Sequence, residues 1–266
     1  MADGGSVGAP LYSAGVSKED LQAKLEQWLE TSGRALELRT ARMFRGQPSA
    51  RLINQSMAYE DVNTKQQREG DVLAVYHWIT TELAVAVEVA AECKSAKANP
   101  WVAFYDDRHV IPDDSDYWFL TAGEWPRDYL DRLVGAWQMS STLTTDRVAT
   151  HAVSAFGKDS NNQCQDAAQQ ALSFARARGQ GPTRYMGDPE ELTCVTAVLP
   201  VVVTAAPLFT CELANDGEVV LTPVERFDMW IHLEKYEKRR VYVRSEAGLK
   251  EMADALHQLR LRLGGS

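Results

Sequence analysis

The chain is short of cysteine, of long apolar runs and of basic charge, and each shortage removes a class of protein. Cys93, Cys164, Cys194 and Cys211 are the only thiols among 266 residues. With neither C-x-x-C spacing nor a dense framework, they predict neither a zinc ribbon nor a disulfide-stapled fold, and reduced thiols in a cytoplasmic protein are the expectation. The longest apolar stretch, Ala197 to Phe209, is broken by Pro200 and Pro207. It falls short of the roughly 20 residues that cross a bilayer, so no membrane association is expected. The opening MADGGSVGAP lacks a basic region followed by an apolar one, so no secretion signal is expected. Acids outnumber bases, 37 to 28, for a net charge of −9. That balance argues against a generic polyanion binder, because affinity for nucleic acid rests on neutralising phosphates with Lys and Arg. A site built of acids and offset by its own cation is compatible with it. Hydrophobic residues make up 45% of the chain, enough for the core of one domain of ordinary size, or of one domain plus a small appendage.

The most informative stretch is Glu88 to Phe104, EVAAECKSAKANPWVAF. Read as a strand, it puts Val85, Val87, Val89, Ala91 and Cys93 on one face and Glu88, Glu92 and Lys94 on the other. Charges beside a core are costly unless paired or bound to metal. An ion pair between Glu92 and Lys94 on a half-exposed strand is the plain solution. A second acid, Asp71, lies one strand earlier in Arg68-Glu69-Gly70-Asp71-Val72. An Asp and a Glu on neighbouring strands can hold a hard divalent cation through oxygen, as Mg²⁺ requires.

Asp71 followed by Glu92-Cys93-Lys94, with the local text from Arg68 to Val72, Glu92 to Ser95 and Pro100-Trp101, resembles the PD-(D/E)XK nuclease superfamily. Gly70 stands where that pattern has proline. The resemblance implies a restriction endonuclease-like α/β fold: a mixed sheet built as helix, three strands, helix, strand and flanked by helices. It implies a nuclease that hydrolyses phosphodiesters, DNA above all, with Mg²⁺ or Mn²⁺ as cofactor and a role in bacterial defence or DNA repair. Asp71 and Glu92 become metal ligands, and Lys94 orients or deprotonates the attacking water. Many members carry an acid on the first helix, and Glu37 in Gly33-Arg34-Ala35-Leu36-Glu37-Leu38 resembles it. A glutamine four residues before an aromatic on a later helix helps position substrate in one branch, matched here by Gln170 and Phe174.

Read from the residues alone, Glu37 shares a helix side with Ala41 and Phe44; a solvated Glu beside Arg34 or Arg42 is the alternative. Residues 1 to 16 read as disordered. Ser17 reads as an N-cap, with a helix to Gly33 carrying Leu21, Leu25, Trp28 and Leu29, and a second helix spans about Arg34 to Phe44. Strands are expected over about Ala50 to Tyr59, Glu69 to His77 and Leu83 to Lys94, with a helix from about Asn161 to Arg178 and a doubly covered strand from Cys194 to Val203. On the resemblance, these elements together are expected to form the nuclease core, over residues 17–205. Residues 105–150 read as an insertion, with a short strand over Tyr117 to Leu120 and a helix over Tyr129 to Met139. Its Asp106, Asp107, Asp113, Asp114 and Asp116 read as a solvated acidic turn, since the run lacks the Gly and terminal Glu of a calcium loop. Residues 206–266 read as a β-rich extension, a meander over Leu208 to Leu213, Val219 to Val224, Met229 to Leu233 and Val241 to Val243, and a helix from Glu246 to Leu263.

The densest basic segment holds Lys235, Lys238, Arg239, Arg240 and Arg244. Arg239 and Arg240 are expected to contact phosphate; a charged strand edge that blocks sheet pairing is the alternative. No helix-turn-helix or zinc finger supplies sequence reading, so a homodimer or a partner protein is expected to supply targeting or activation. Two other readings remain: a nuclease-fold binding or assembly module without turnover, and an unrelated α/β protein with a chance Glu-x-Lys.

Overall fold

A helix that starts on a serine cap is the first element among the described residues. In the computed structural model, which describes residues 17–80, 82–95, 99–105, 119–143, 145, 147–156, 162–180, 192–234 and 237–264, Ser17 Oγ accepts the Asp20 N–H at 3.1 Å. Helix α1 (Lys18–Thr31) follows, its Leu21, Leu25 and Trp28 exposed. Gly33, with φ at +89°, turns the chain directly into α2 (Arg34–Arg45). This second helix buries Leu36, Ala41 and Phe44, and Glu37 with them.

Strands β1 (Ala50–Glu60), β2 (Gln67–Ile79) and β3 (Leu83–Lys94) form an antiparallel meander. The turn between the first two is tied by Asp61, whose Oδ1 accepts the N–H groups of Asn63 and Thr64, each at 2.9 Å. Strand β7 (Thr193–Thr204) lies parallel to β3 in register from Leu83–Thr193 to Lys94–Thr204. The crossover between them carries α4 (Gln163–Gln180), whose small Ala167, Ala168 and Ala171 let it lie close on the sheet.

The main sheet has seven strands in the order β1-β2-β3-β7-β11-β10, where β10 is Arg226–Glu234 and β11 is Glu237–Arg244. The remaining strand, β5 (Leu120–Ala122), pairs antiparallel with β7. Four further strands, β4 (Trp101–Phe104), β6 (His151–Ser154), β8 (Leu208–Leu213) and β9 (Val219–Val224), form a second sheet. The chain is thus a mixed α/β protein, with five helices among the described residues and parallel and antiparallel pairing in one sheet.

Alternation along the strands divides the core in two. Val85, Val87, Val89, Ala91 and Cys93 join Val195, Ala197, Leu199, Val201 and Val203 under α2, α3 (Arg127–Gln138) and α5 (Glu246–Leu263). Ala90, Val198, Val202, Val241 and Val243 face the other way, toward α4 and the second sheet. The predicted apolar face of β3 is therefore the first of these, and Glu88 faces α4, where Arg178 binds it at 2.7 and 2.8 Å.

One expectation is corrected, and two strands go beyond what the sequence predicts. The C-terminal strands are not one meander: β8 and β9 join β4 and β6, whereas β10 and β11 extend the main sheet, because β11 pairs parallel with β7 at Tyr242–Val201. The Trp101–Phe104 and His151–Ser154 segments are strands that four-residue runs signal too weakly to be read. The acidic run from Asp106 to Asp116, Tyr117, Trp118 and Lys235 lie outside the described residues. Among the described residues, no helix is long and apolar enough to cross a membrane.

Candidate active site

The ladder between β2 and β3 stops at the Val72–Ala91 pair, and the next residues, Asp71 and Glu92, stand where the two strands part. Two local features shape this opening. Ser56, on β1 between the partners of Val72 and Gly70, takes a left-handed φ of +53°. Gly70 lets the Phe174 ring close onto the backbone, since a Cβ there would lie 2.5 Å from ring carbons. Phe174, stacked on Tyr59 with ring centroids 5.1 Å apart, is fully buried and has nowhere to retreat. That close approach explains why glycine precedes Asp71 in this chain.

At the opening, the Cys93 N–H turns from the ladder and donates to Asp71 Oδ2 at 2.7 Å, which fixes the carboxylate against β3. Glu92 and Lys94 share a strand face, and Lys94 Nζ donates to Glu92 Oε1 at 2.7 Å and to Gln170 Oε1 on α4 at 2.8 Å. Glu37 comes from α2 on the opposite layer; it is buried, and its Oε2 accepts from Arg34 at 2.8 Å. Arg34 also reaches Glu69 Oε1 at 3.1 Å. Both readings of Glu37 thus meet in one geometry, an inward acid with an arginine at its rim.

The carboxylates act on one another. Burial raises Asp71, the charge of Glu92 raises it further, the Cys93 N–H opposes both, Glu37 adds to the rise, and Asp71 ends near a pKa of about 7. Burial also raises Glu92 against the pull of Lys94, and Glu37 adds to that rise. A carboxyl raised in the folded state destabilises the fold once it ionises. For Asp71 the loss begins above its ordinary 3.8 and is complete above about 7. Asp71→Asn should therefore stabilise the metal-free protein by about 1–3 kcal/mol at pH 8 and by little at pH 4. Urea unfolding in EDTA at the two pH values measures this, and an equal change at both would refute the repulsion.

Among the described residues, no group of three or more His, Cys, Asp or Glu side chains is gathered closely enough to hold a metal ion as it stands. Asp71, Glu92 and Glu37 each give one oxygen to a protein donor, namely the Cys93 N–H, Lys94 and Arg34. Asp71 Oδ1, Glu92 Oε2 and Glu37 Oε1 have no hydrogen-bond partner among the described residues, and they are the hard oxygen donors that Mg²⁺ or Mn²⁺ takes. The donor set therefore fits such an ion chemically.

Asp71, Glu92, Lys94 and Gln170 are brought together as the sequence predicts, and Glu37 joins them electrostatically. The basic strand does not. Arg240 is a correction: its side chain is 1% exposed and bound to Asp228, so it contacts no substrate phosphate. Alternation puts Arg239 on the other face of β11, partly exposed, but β11 lies beyond β7 from β3 and away from the acids. The sequence alone points to no role for Arg68 or Asp61. Arg68 acts on the charge of Glu92, and the signal for it was its place in the Arg-Glu-Gly-Asp text; Asp61 had only its turn. Compared with protein-family models, with curated proteins and with solved structures, the chain matches none.

Proposed function

We propose that the protein is a metal-dependent nuclease of the PD-(D/E)XK kind, with a restriction endonuclease-like core and DNA as its substrate. The observation that carries this reading is the desolvated pair Asp71 and Glu92 at the parting of two strands, with Lys94 two residues on and steered by Gln170. The order α2, β1, β2, β3, then α4 and β7 after the intervening β4, β5, α3 and β6, is compatible with the helix, three strands, helix, strand order of such a core carrying an insertion. Four unpaired thiols suit a reducing, cytoplasmic setting. Bacterial defence or DNA repair is the role such an enzyme would serve, with a second copy or a partner protein supplying more of the grip on an acidic chain.

A divalent ion on the free oxygens of Asp71, Glu92 and Glu37 would supply positive charge to a non-bridging phosphate oxygen and acidify a water. The protein's own groups do the rest. Asp71 is held in place by the Cys93 N–H, so its second oxygen is fixed in direction. Lys94 Nζ, an ammonium that donates to both Glu92 and Gln170, is placed to hold and orient the attacking water. Gln170 accepts a second Lys94 hydrogen bond, so the ammonium is shared between Glu92 and α4. Arg34 neutralises part of the acidic charge at the rim.

Calorimetric titration with Mn²⁺ tests the reading without a substrate. Wild-type protein is expected to bind the ion, and Glu92→Ala to weaken binding by at least about tenfold, a loss of about 1.4 kcal/mol or more. Unaltered Mn²⁺ affinity in Glu92→Ala would remove the basis of the proposal.

A further inference from the structure

Beside the acid pair is a cavity of about 390 Å³, within the size range of small-ligand sites. Its lining includes Asn63, Arg68, Gln169, Ser173 and Arg176, and Gln170, which also bonds Lys94. The cavity and the candidate active site therefore share a wall, the exposed side of α4.

The cavity is rigidly built around Asp61. This carboxylate is buried and accepts from the Asn63 and Thr64 N–H groups and from Ser173 Oγ at 2.8 Å, which ties the β1–β2 turn to α4. Burial alone would raise its pKa, but the hydrogen bonds from Thr64, Ser173 and Asn63 prevail and bring it to about 2. Arg68 Nε lies 3.0 Å from Asp61 Oδ2, an ion pair that lacks hydrogen-bond geometry, so the guanidinium keeps donors for another acceptor. Among the described residues, Arg176 has a single hydrogen bond, from one terminal nitrogen to Asn63 Oδ1 at 3.2 Å. Two guanidinium groups with donors to spare thus meet the amide side chains of Gln169 and Gln170 in one recess. Asp166, Ile231 and His232 also line it, and of its two acids Asp166 is the one whose charge is not already engaged.

We propose that this cavity seats a backbone phosphate of the nucleic acid next to the one that is cleaved, with Arg68 and Arg176 as its ligands. Planar guanidinium groups with several donors suit phosphate oxygens. The shared Gln170 joins the two phosphate positions, so a strand anchored here is delivered to Lys94. The inference rests on the nuclease reading and replaces Arg239 and Arg240 as the phosphate contacts.

The test measures binding of fluorescent single-stranded and duplex DNA by anisotropy, in EDTA, over a series of salt concentrations. Arg176→Ala is the informative variant, because Arg176 makes only an exposed bond to Asn63 whereas Arg68 also braces Asp61. Arg132→Ala, on α3 over the Tyr129 ring, is the control. Arg176→Ala should lower affinity about three- to tenfold at low salt and reduce the slope of log affinity against log salt by about 0.7–0.9, one phosphate contact. Arg132→Ala should match wild type. If wild type binds DNA and Arg176→Ala binds it with the same affinity and slope, the cavity assignment falls and the nuclease reading stands. If wild type binds no DNA and shows no metal-dependent cleavage, both fall.

Discussion

Lys94→Ala is expected to lower metal-dependent cleavage of DNA by about 10²–10⁴-fold, the range over which a positioned acid or base contributes. Lys94 Nζ stands 2.7 Å from Glu92 and 2.8 Å from Gln170, so the variant removes the water-orienting group and leaves the acid pair. Its fold should persist, since Lys94 is partly exposed and its loss frees no buried backbone group. Gln170→Ala should cost less, because it loosens Lys94 without removing it. Linear and circular DNA and RNA, each with Mg²⁺, Mn²⁺ or EDTA, read out substrate and mode of cleavage together. A Lys94→Ala protein that cleaves like wild type would sink the assignment, whatever its metal affinity.

The second large effect concerns stability and lies far from the acids. Asp228 is fully buried between Arg240, at 2.8 Å from its Nε, and Arg244, at 2.7 Å. Burial raises its pKa, but the two arginines overcome this and hold it below the usual carboxylate value. Both guanidinium groups stand near the Tyr242 ring, at 5.5 and 5.2 Å from its centre. Asp228→Ala leaves two buried cations facing each other and is expected to cost about 3–5 kcal/mol, as breaking a buried ion pair does. For a chain of this size that lowers the thermal midpoint by roughly 10 °C. Glu60→Ala, which removes an exposed pair with Lys65 at 3.8 Å, should change stability by less than about 1 kcal/mol. Comparable midpoints for the two variants, read by calorimetry, would refute a structural role for Asp228.

Arg240 shows why a cluster of basic residues in a sequence is a weak guide. Lys238, Arg239, Arg240 and Arg244 read as one charged segment, but a strand sends successive side chains to opposite faces. Arg240 and Arg244, at even spacing, both point into the interior, where Asp228 from the neighbouring strand meets them. Nothing along the chain announced that Asp228 would be opposite. Glu88 gives the same lesson: its partner Arg178 is 90 residues away on α4.

The sequence by itself determined the elements with strong periodicity. The two opening helices, β1, β2 and β3, the alanine-rich α4, the apolar β7 and the last helix all fall within a few residues of where hydrophobic spacing puts them, because burial rewards that spacing locally. It also determined which faces of β3 are apolar and charged, since a period of two is fixed by backbone geometry. Tertiary structure alone decided how the strands are shared between two sheets, because pairing partners are chosen by long-range packing and short strands such as β4 and β6 carry little signal. It decided that Glu37 and Gln170, from opposite layers, converge on the parting of β2 and β3. It also set the protonation of Asp71, since a carboxyl becomes hard to ionise only when folding withdraws water and brings a second carboxylate beside it.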